Sequence, residues 1–136
     1  VALTADPPLA ALEIWRQNYF GSPANTGNGA PGADPDGDGW SNNSEFAFGT
    51  SPTVATPALT QTATVGGQFL ISWLQRIDSP SAYTVQETAD LATGPWVPSA
   101  ALVQDGTGPV PPAGYEWKQI SVVPAGKKFF RVTASL

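Results

Sequence analysis

The stretch DPDGDGWSNNSEF, Asp34 to Phe46, decides how the front of this chain is read. Asp34, Asp36 and Asp38 stand at alternate positions, and Glu45 closes the run. The chain has 11 acidic residues in all and only 12% charged residues, so this crowding needs a reason. A calcium-binding loop supplies one. Such a loop is about 12 residues long, with oxygen ligands at positions 1, 3, 5, 7, 9 and 12 and a glycine at 6. Counted from Asp34, those ligand positions fall on Asp34, Asp36, Asp38, the backbone carbonyl of Trp40, Asn42 and Glu45, and Gly39 takes the turn. Calcium is a hard cation that collects about 6–8 oxygens, and alternate residues of a curling loop aim side chains at one centre. Magnesium suits the pattern less well, because it demands octahedral geometry and keeps its waters. The competing reading is a solvated acidic turn, since Asp and Gly are good turn formers. The ordered Gly39, Asn42 and Glu45 weigh against it. Asn42 and Glu45 also match a helix-capping pair, so Glu45 serves either the cap or the metal.

Position 8 of paired loops is normally apolar, and here it is Ser41. There is no second loop and no Met for a switchable groove. The expected site is therefore solitary and structural, and it is not a sensor.

Working outward, Asp6-Pro7-Pro8 reads as a helix start, with Asp6 as cap and Pro7 in the first turn. Leu9, Leu12, Trp15 and Tyr19 then recur at helical spacing, and Gly21 with Ser22-Pro23 ends the helix. Residues 22–33, SPANTGNGAPGA, read as a surface loop. A second short helix is expected from near Asn42 to Phe48, with Gly49 as its cap. Beyond Thr53 the pattern turns to strands. QFLISWLQR (68–76), AYTVQET (82–88), YEWKQISVV (115–123) and KKFFRVTA (127–134) are rich in β-branched and aromatic residues. ALTQTATV (58–65) and PWVPSAALV (95–103) are weaker candidates. Gly66-Gly67 reads as a hairpin turn and 105–114 as a loop.

The expected fold class is α+β. A helix–calcium loop–helix unit at 1–52, EF-hand-like, packs on an antiparallel β-sandwich-like sheet at 53–136, the two forming one compact module. Leu12, Trp15, Phe46 and Phe48 are the expected docking residues.

The composition excludes several functions. Cys and His are absent, which removes thiolate metal sites and the commonest general base and nucleophile. The net charge is -5 and the six Lys and Arg are scattered, so no basic stripe exists for a phosphate backbone. No apolar run approaches the roughly 20 residues of a membrane span. No leader opens the sequence at Val1, so secretion would require one upstream. DGTGPVPPAG lacks the Lys-Ser/Thr ending of a phosphate loop. Glu87 and Glu116 are the one conceivable glycosidase-type pair, but strand carboxylates ordinarily face water opposite Lys or Arg. The chain is accordingly expected not to be an enzyme. Trp96, Tyr115 and Trp117 flank the 105–114 loop and could form a sugar-stacking surface. The weightier alternative is that Tyr115 and Trp117, two apart on one strand, form a core face, since aromatics at period two usually mark burial.

Asp34–Thr53, DPDGDGWSNNSEFAFGTSPT, resembles the calcium loops of thrombospondin type 3 repeats and dockerins. More closely, it is similar to a motif D-P-D-G-D-G-x-x-N-x-x-E-F/Y-x-x-G-T-x-P that opens C-terminal modules of large secreted proteins from Verrucomicrobia and related bacteria. Those modules carry a preceding helix with a Trp, as Trp15 in EIWRQNYFG. They continue with a run that AYTVQETADLATGPW resembles and end in FFRV, here Phe129 to Val132. The resemblance implies a non-catalytic, calcium-stabilised accessory module, secreted or on the cell surface and joined to an upstream domain of its parent protein. Polysaccharide is the leading expected partner. Sorting or surface attachment without a glycan is the alternative, and a small glycan-active enzyme a remote third. No nucleic acid and no membrane span are expected.

Overall fold

The computed structural model describes residues 9–78 and 82–136. The expected helix start at Asp6 and Pro7 lies outside the described residues. The protein is α+β, with two α-helices and two antiparallel sheets among the described residues. It divides into two compact units, 9–46 with Ser51–Ala55, and Ala47–Thr50 with Thr56–Leu136.

In the first unit, helix α1 runs from Ala11 to Phe20. It begins where the Glu13 carboxylate accepts the Ala10 N–H at 2.7 Å, satisfying a donor that the first turn cannot. It stops as expected at Gly21, which takes φ 73° and donates its N–H to Gln17 O. The Trp15 ring meets Phe20 and Phe46 edge-on, with centroids 6.0 and 5.9 Å away. Residues 22–33 form the expected irregular loop, interrupted by one 3-10 turn at Gly27–Gly29. Helix α2 spans Asn42–Phe48, as the sequence suggests. Its cap is Ser41, whose hydroxyl accepts the Ser44 N–H and whose carbonyl accepts the Glu45 N–H. That corrects the expected Asn42–Glu45 capping pair. A hydroxyl one residue earlier takes the cap and releases the Asn42 amide for other bonds.

The described residues of the second unit include seven strands. They are β1 Thr60–Val65, β2 Gln68–Arg76, β3 Ala82–Thr88, β4 Val97–Pro98, β5 Gln104–Asp105, β6 Tyr115–Val122 and β7 Phe129–Ser135. One sheet has the order β1-β2-β6-β5 and the other β4-β3-β7. Gly66 and Gly67 both take positive φ, 58° and 78°, and close the β1–β2 hairpin across the Val65–Gln68 pair. The 95–103 candidate shrinks to the two residues of β4. Pro95 and Pro98 have no N–H for a ladder, so a longer strand there would lose its bonds.

Ile71 and Trp73 of β2, Ile120 of β6 and Val85 of β3 form the core with Ala47 and Phe48 from the end of α2. Ile71 faces Ile120 directly in the β2–β6 register. Tyr83 packs its ring edge-on to Phe48 and donates its hydroxyl to the Ala47 carbonyl. Leu12 is half-buried, while Trp15 and Phe46 are buried in the first unit and Phe48 in the second. No helix among the described residues is long and apolar enough to cross a membrane.

Two outcomes follow for stability. Ile120 is fully buried, so Ile120→Ala should cost about 2–5 kcal/mol in denaturant melts, whereas Val110→Ala, at an exposed site, should cost under about 0.5 kcal/mol. Glu87 accepts bonds from Lys128 Nζ at 3.0 Å and Ser99 Oγ at 2.9 Å, and these hold its pKa below the ordinary Glu value. A carboxyl more acidic in the fold than unfolded contributes stability above its unfolded pKa and loses it as pH falls through the folded value. Glu87→Gln should therefore flatten the acid limb of a stability–pH curve and change the neutral plateau little more than the lost ion pair does.

Candidate metal centre

The loop before α2 gathers Asp34, Asp36 and Asp38 so that one carboxylate oxygen of each lies within 4.8 Å of the others. Two glycines with positive φ, Gly37 at 75° and Gly39 at 94°, make the turn that brings the alternate side chains inward. The carboxylates also collect backbone donors. Asp34 Oδ1 accepts the Gly37 N–H at 2.9 Å, and its Oδ2 accepts the Gly39 N–H at 3.0 Å. Asp36 Oδ1 accepts the Asp38 N–H, and Asp38 Oδ1 the Trp40 N–H. The second oxygen of Asp36 is buried and has no hydrogen-bond partner. Desolvation raises the Asp36 pKa above the ordinary Asp value. The bond from the Asp38 N–H pulls the other way, and the negative charges of Asp38 and Asp34 add to the rise.

The remaining ligand candidates are placed differently. Trp40 is half-buried and directly precedes the Ser41 cap. Glu45 is wholly buried in the first turn of α2, outside the close-set group of three Asp. Asn42, also buried, turns its amide nitrogen to two carbonyls, Asn28 O at 2.6 Å and Ala30 O at 2.8 Å. Its Oδ1 has no hydrogen-bond partner.

The Asn42 amide therefore clamps the 22–33 loop, a role that spacing alone did not suggest. Arg16 works on the same segment from α1, donating Nε to Gly29 O at 3.0 Å in a buried bond. Gly29 is fixed by that approach, since a Cβ there would stand 2.7 Å from Ala24 O. A cation on an otherwise apolar helix face was the available signal for Arg16, because an Arg so placed needs a carbonyl or carboxylate partner.

The aromatic candidates do not make one open surface. Tyr115 is 7% exposed, with the Arg76 guanidinium 5.0 Å from its ring centroid. It belongs to the packed side of β6, the core-face alternative that the sequence left open. Trp117 donates Nε1–H to Pro109 O at 2.8 Å, and the loop lies so close that a Cβ on Gly108 would come within 2.4 Å of the indole. Trp96 carries the Arg131 guanidinium 4.2 Å from its ring centroid. Glu87 and Glu116 stand on strands of different sheets, Glu87 paired with Lys128 and Glu116 with Lys118.

In comparisons with family models, curated proteins and solved structures, nothing matches this chain. Its function is therefore argued from the site itself.

The clamp makes its own prediction. Asn42→Ala strips Asn28 O and Ala30 O of their donor and should cost about 1–3 kcal/mol by chemical denaturation. Amide exchange in 22–33 should speed up with it. Unchanged stability and unchanged exchange would mean that water replaces the amide without penalty.

Proposed function

We propose that this chain is a non-catalytic accessory module of a secreted protein, stabilised by one calcium ion held in the Asp34–Glu45 loop. The observation that carries the reading is the approach of the three Asp oxygens within 4.8 Å, with the buried Asp36 Oδ2 lacking any donor. A divalent cation would neutralise that group and supply the missing partner. Asp34, Asp36 and Asp38 form the core of the ligand set, with Trp40 O, Asn42 Oδ1 and Glu45 completing it. The choice of calcium rests on an all-oxygen donor set at alternate positions of one loop, which suits a cation that takes about 6–8 oxygens. The proposed architecture joins an EF-hand-like helix–loop–helix to a β-sandwich.

Two partner roles fit such a module. Attachment or sorting without a glycan is favoured by the burial of Tyr115 and by the loop residue Gly108 lying against the half-buried Trp117. Polysaccharide binding keeps one supporting observation. Trp96 sits beside Arg131, whose Nε is held by Gln86 Oε1 at 2.7 Å, an aromatic ring next to planar polar groups. A glycan-array signal lost in Trp96→Ala, with the melting temperature unchanged, would favour the second role.

The calcium reading is tested by thermal melts. Calcium in about 100-fold excess over its Kd should add about 2.7 kcal/mol, a rise in Tm on the order of 10 °C that chelator reverses. Asp36→Asn should abolish the increment and leave the chelated protein as stable as before or more so, because one of three crowded charges is gone. A melting temperature indifferent to calcium and chelator, or an increment that survives Asp36→Asn, would overturn the assignment.

A further inference from the structure

Strand β1 ends one sheet and β7 ends the other, so each has one side that pairs with no strand among the described residues. These two free edges flank a groove. Two depressions form it, the larger about 280 Å³, and they share Phe69, Lys128 and Phe130. Phe69, Ile71, Phe130 and Val132 give it an apolar lining. Thr60, Thr62 and Thr64 of β1 line the opposite wall, all three on one face because alternate residues of a strand share a face. Phe69, Phe130 and Val132 are only partly buried and pack against the core, so the groove reaches the edge of the hydrophobic interior.

An unpaired edge with an apolar slot beside it is what strand addition requires. The edge supplies main-chain hydrogen bonds, and the slot accepts every second side chain of the incoming strand. Edges are ordinarily blunted by charge, Pro or bulges. β7, FFRVTAS, has no Pro, pairs with β3 in an unbroken register, and turns its one charged side chain, Arg131, to Gln86 and the Trp96 ring. The charge is confined to the β7 side. Lys128 and Arg131 are the charged residues lining the groove, and no carboxylate lines it. Lys127 stands next to them, its amine 5.4 Å from the Phe129 ring centroid. Three of the chain's six cations thus cluster here, in a protein of net charge -5. Lys128 is held at the groove by its bond to Glu87, while the Arg131 guanidinium turns toward Gln86 and Trp96 on the β3 side.

We propose that the groove between β1 and β7 is a docking site for an extended acidic peptide segment of another protein, added as a strand to the free edge of β7. The segment has apolar residues at alternate positions, which enter the slot over Phe130 and Val132, and carboxylates at its end that meet Lys127 and Lys128. β7 has 7 residues, which sets the length of the paired segment.

The probe is a fluorescein-labelled peptide of about seven residues, with Val at alternate positions, Thr between them and Asp at both ends, followed by fluorescence polarisation on the intact chain. Its partner is the same peptide N-methylated on alternate amides, which keeps the side chains but removes the strand-pairing donors. The plain peptide should bind in a saltable manner, and the N-methylated one at least about tenfold more weakly. Thr62→Arg fills the groove from an exposed strand position, so it should abolish binding with the melting temperature unchanged. Phe130→Leu, a milder change within the slot, should weaken binding and serves if Thr62→Arg melts differently. Equal binding of the two peptides, binding that survives both substitutions, or no binding at all would overturn the proposal. So would sedimentation as a dimer that Thr62→Arg dissolves, because the groove would then belong to a second copy of the chain.

Discussion

Like charges confined to a few ångströms organise the front of this protein. Two unit charges about 4 Å apart repel by about 1 kcal/mol in bulk water and by several times that near a protein surface. Asp34, Asp36 and Asp38 bring oxygens that close, and the loop answers with a row of backbone N–H groups from Gly37 to Trp40. Those donors satisfy most of the carboxylate oxygens and define the loop's curl. They leave the buried Asp36 Oδ2 with none. A compact acidic turn that needed no cation would have little reason to bury that oxygen, since burial of an unpartnered carboxylate oxygen is costly.

The same loop is tied down on its other side. Asn42 opens α2 and reaches back to Asn28 O and Ala30 O, while Arg16 reaches from α1 to Gly29 O. A Gly- and Pro-rich segment that has no core of its own is thereby held at three successive carbonyl-bearing stretches by two buried side chains. The Asn42 backbone N–H adds a fourth tie, to Ala33 O. The proposed ion and this clamp share Asn42, so metal affinity and loop order are expected to move together. The division between the two units falls inside α2, with Asn42 and Glu45 in one and Ala47 and Phe48 in the other.

The β unit is stabilised differently. Its core is apolar contact among Ile71, Trp73, Val85 and Ile120, with charge in the buried Arg76 paired with Asp78 and in rim pairs such as Lys118–Asp105 and Lys128–Glu87. Such exposed pairs contribute little individually. The edges of its two sheets are the part least protected by this arrangement. That is why an apolar groove opens between β1 and β7 and not across the packed faces.

Local chemistry carried most of the secondary structure. Gly21 and Gly49 with positive φ ended the helices where a side chain would be strained, and Gly66-Gly67 set the hairpin. The four aromatic and β-branched runs became β2, β3, β6 and β7 within a residue or two at their ends. The Asp34–Asp38 cluster was legible as well, because its spacing is a property of one short stretch and needs no distant partner. What sequence left open were facts about neighbours far along the chain. Pairing β2 with β6 but β3 with β7 separated Glu87 from Glu116. The 105–114 loop packed against one part of Trp117, and Arg76 with the buried side of β6 took Tyr115. Arg16 and Asn42 acquired their roles from carbonyls 13 and at least 12 positions away. A residue's type and spacing decide what bonds it can make, but only the fold decides which groups stand within reach to make them.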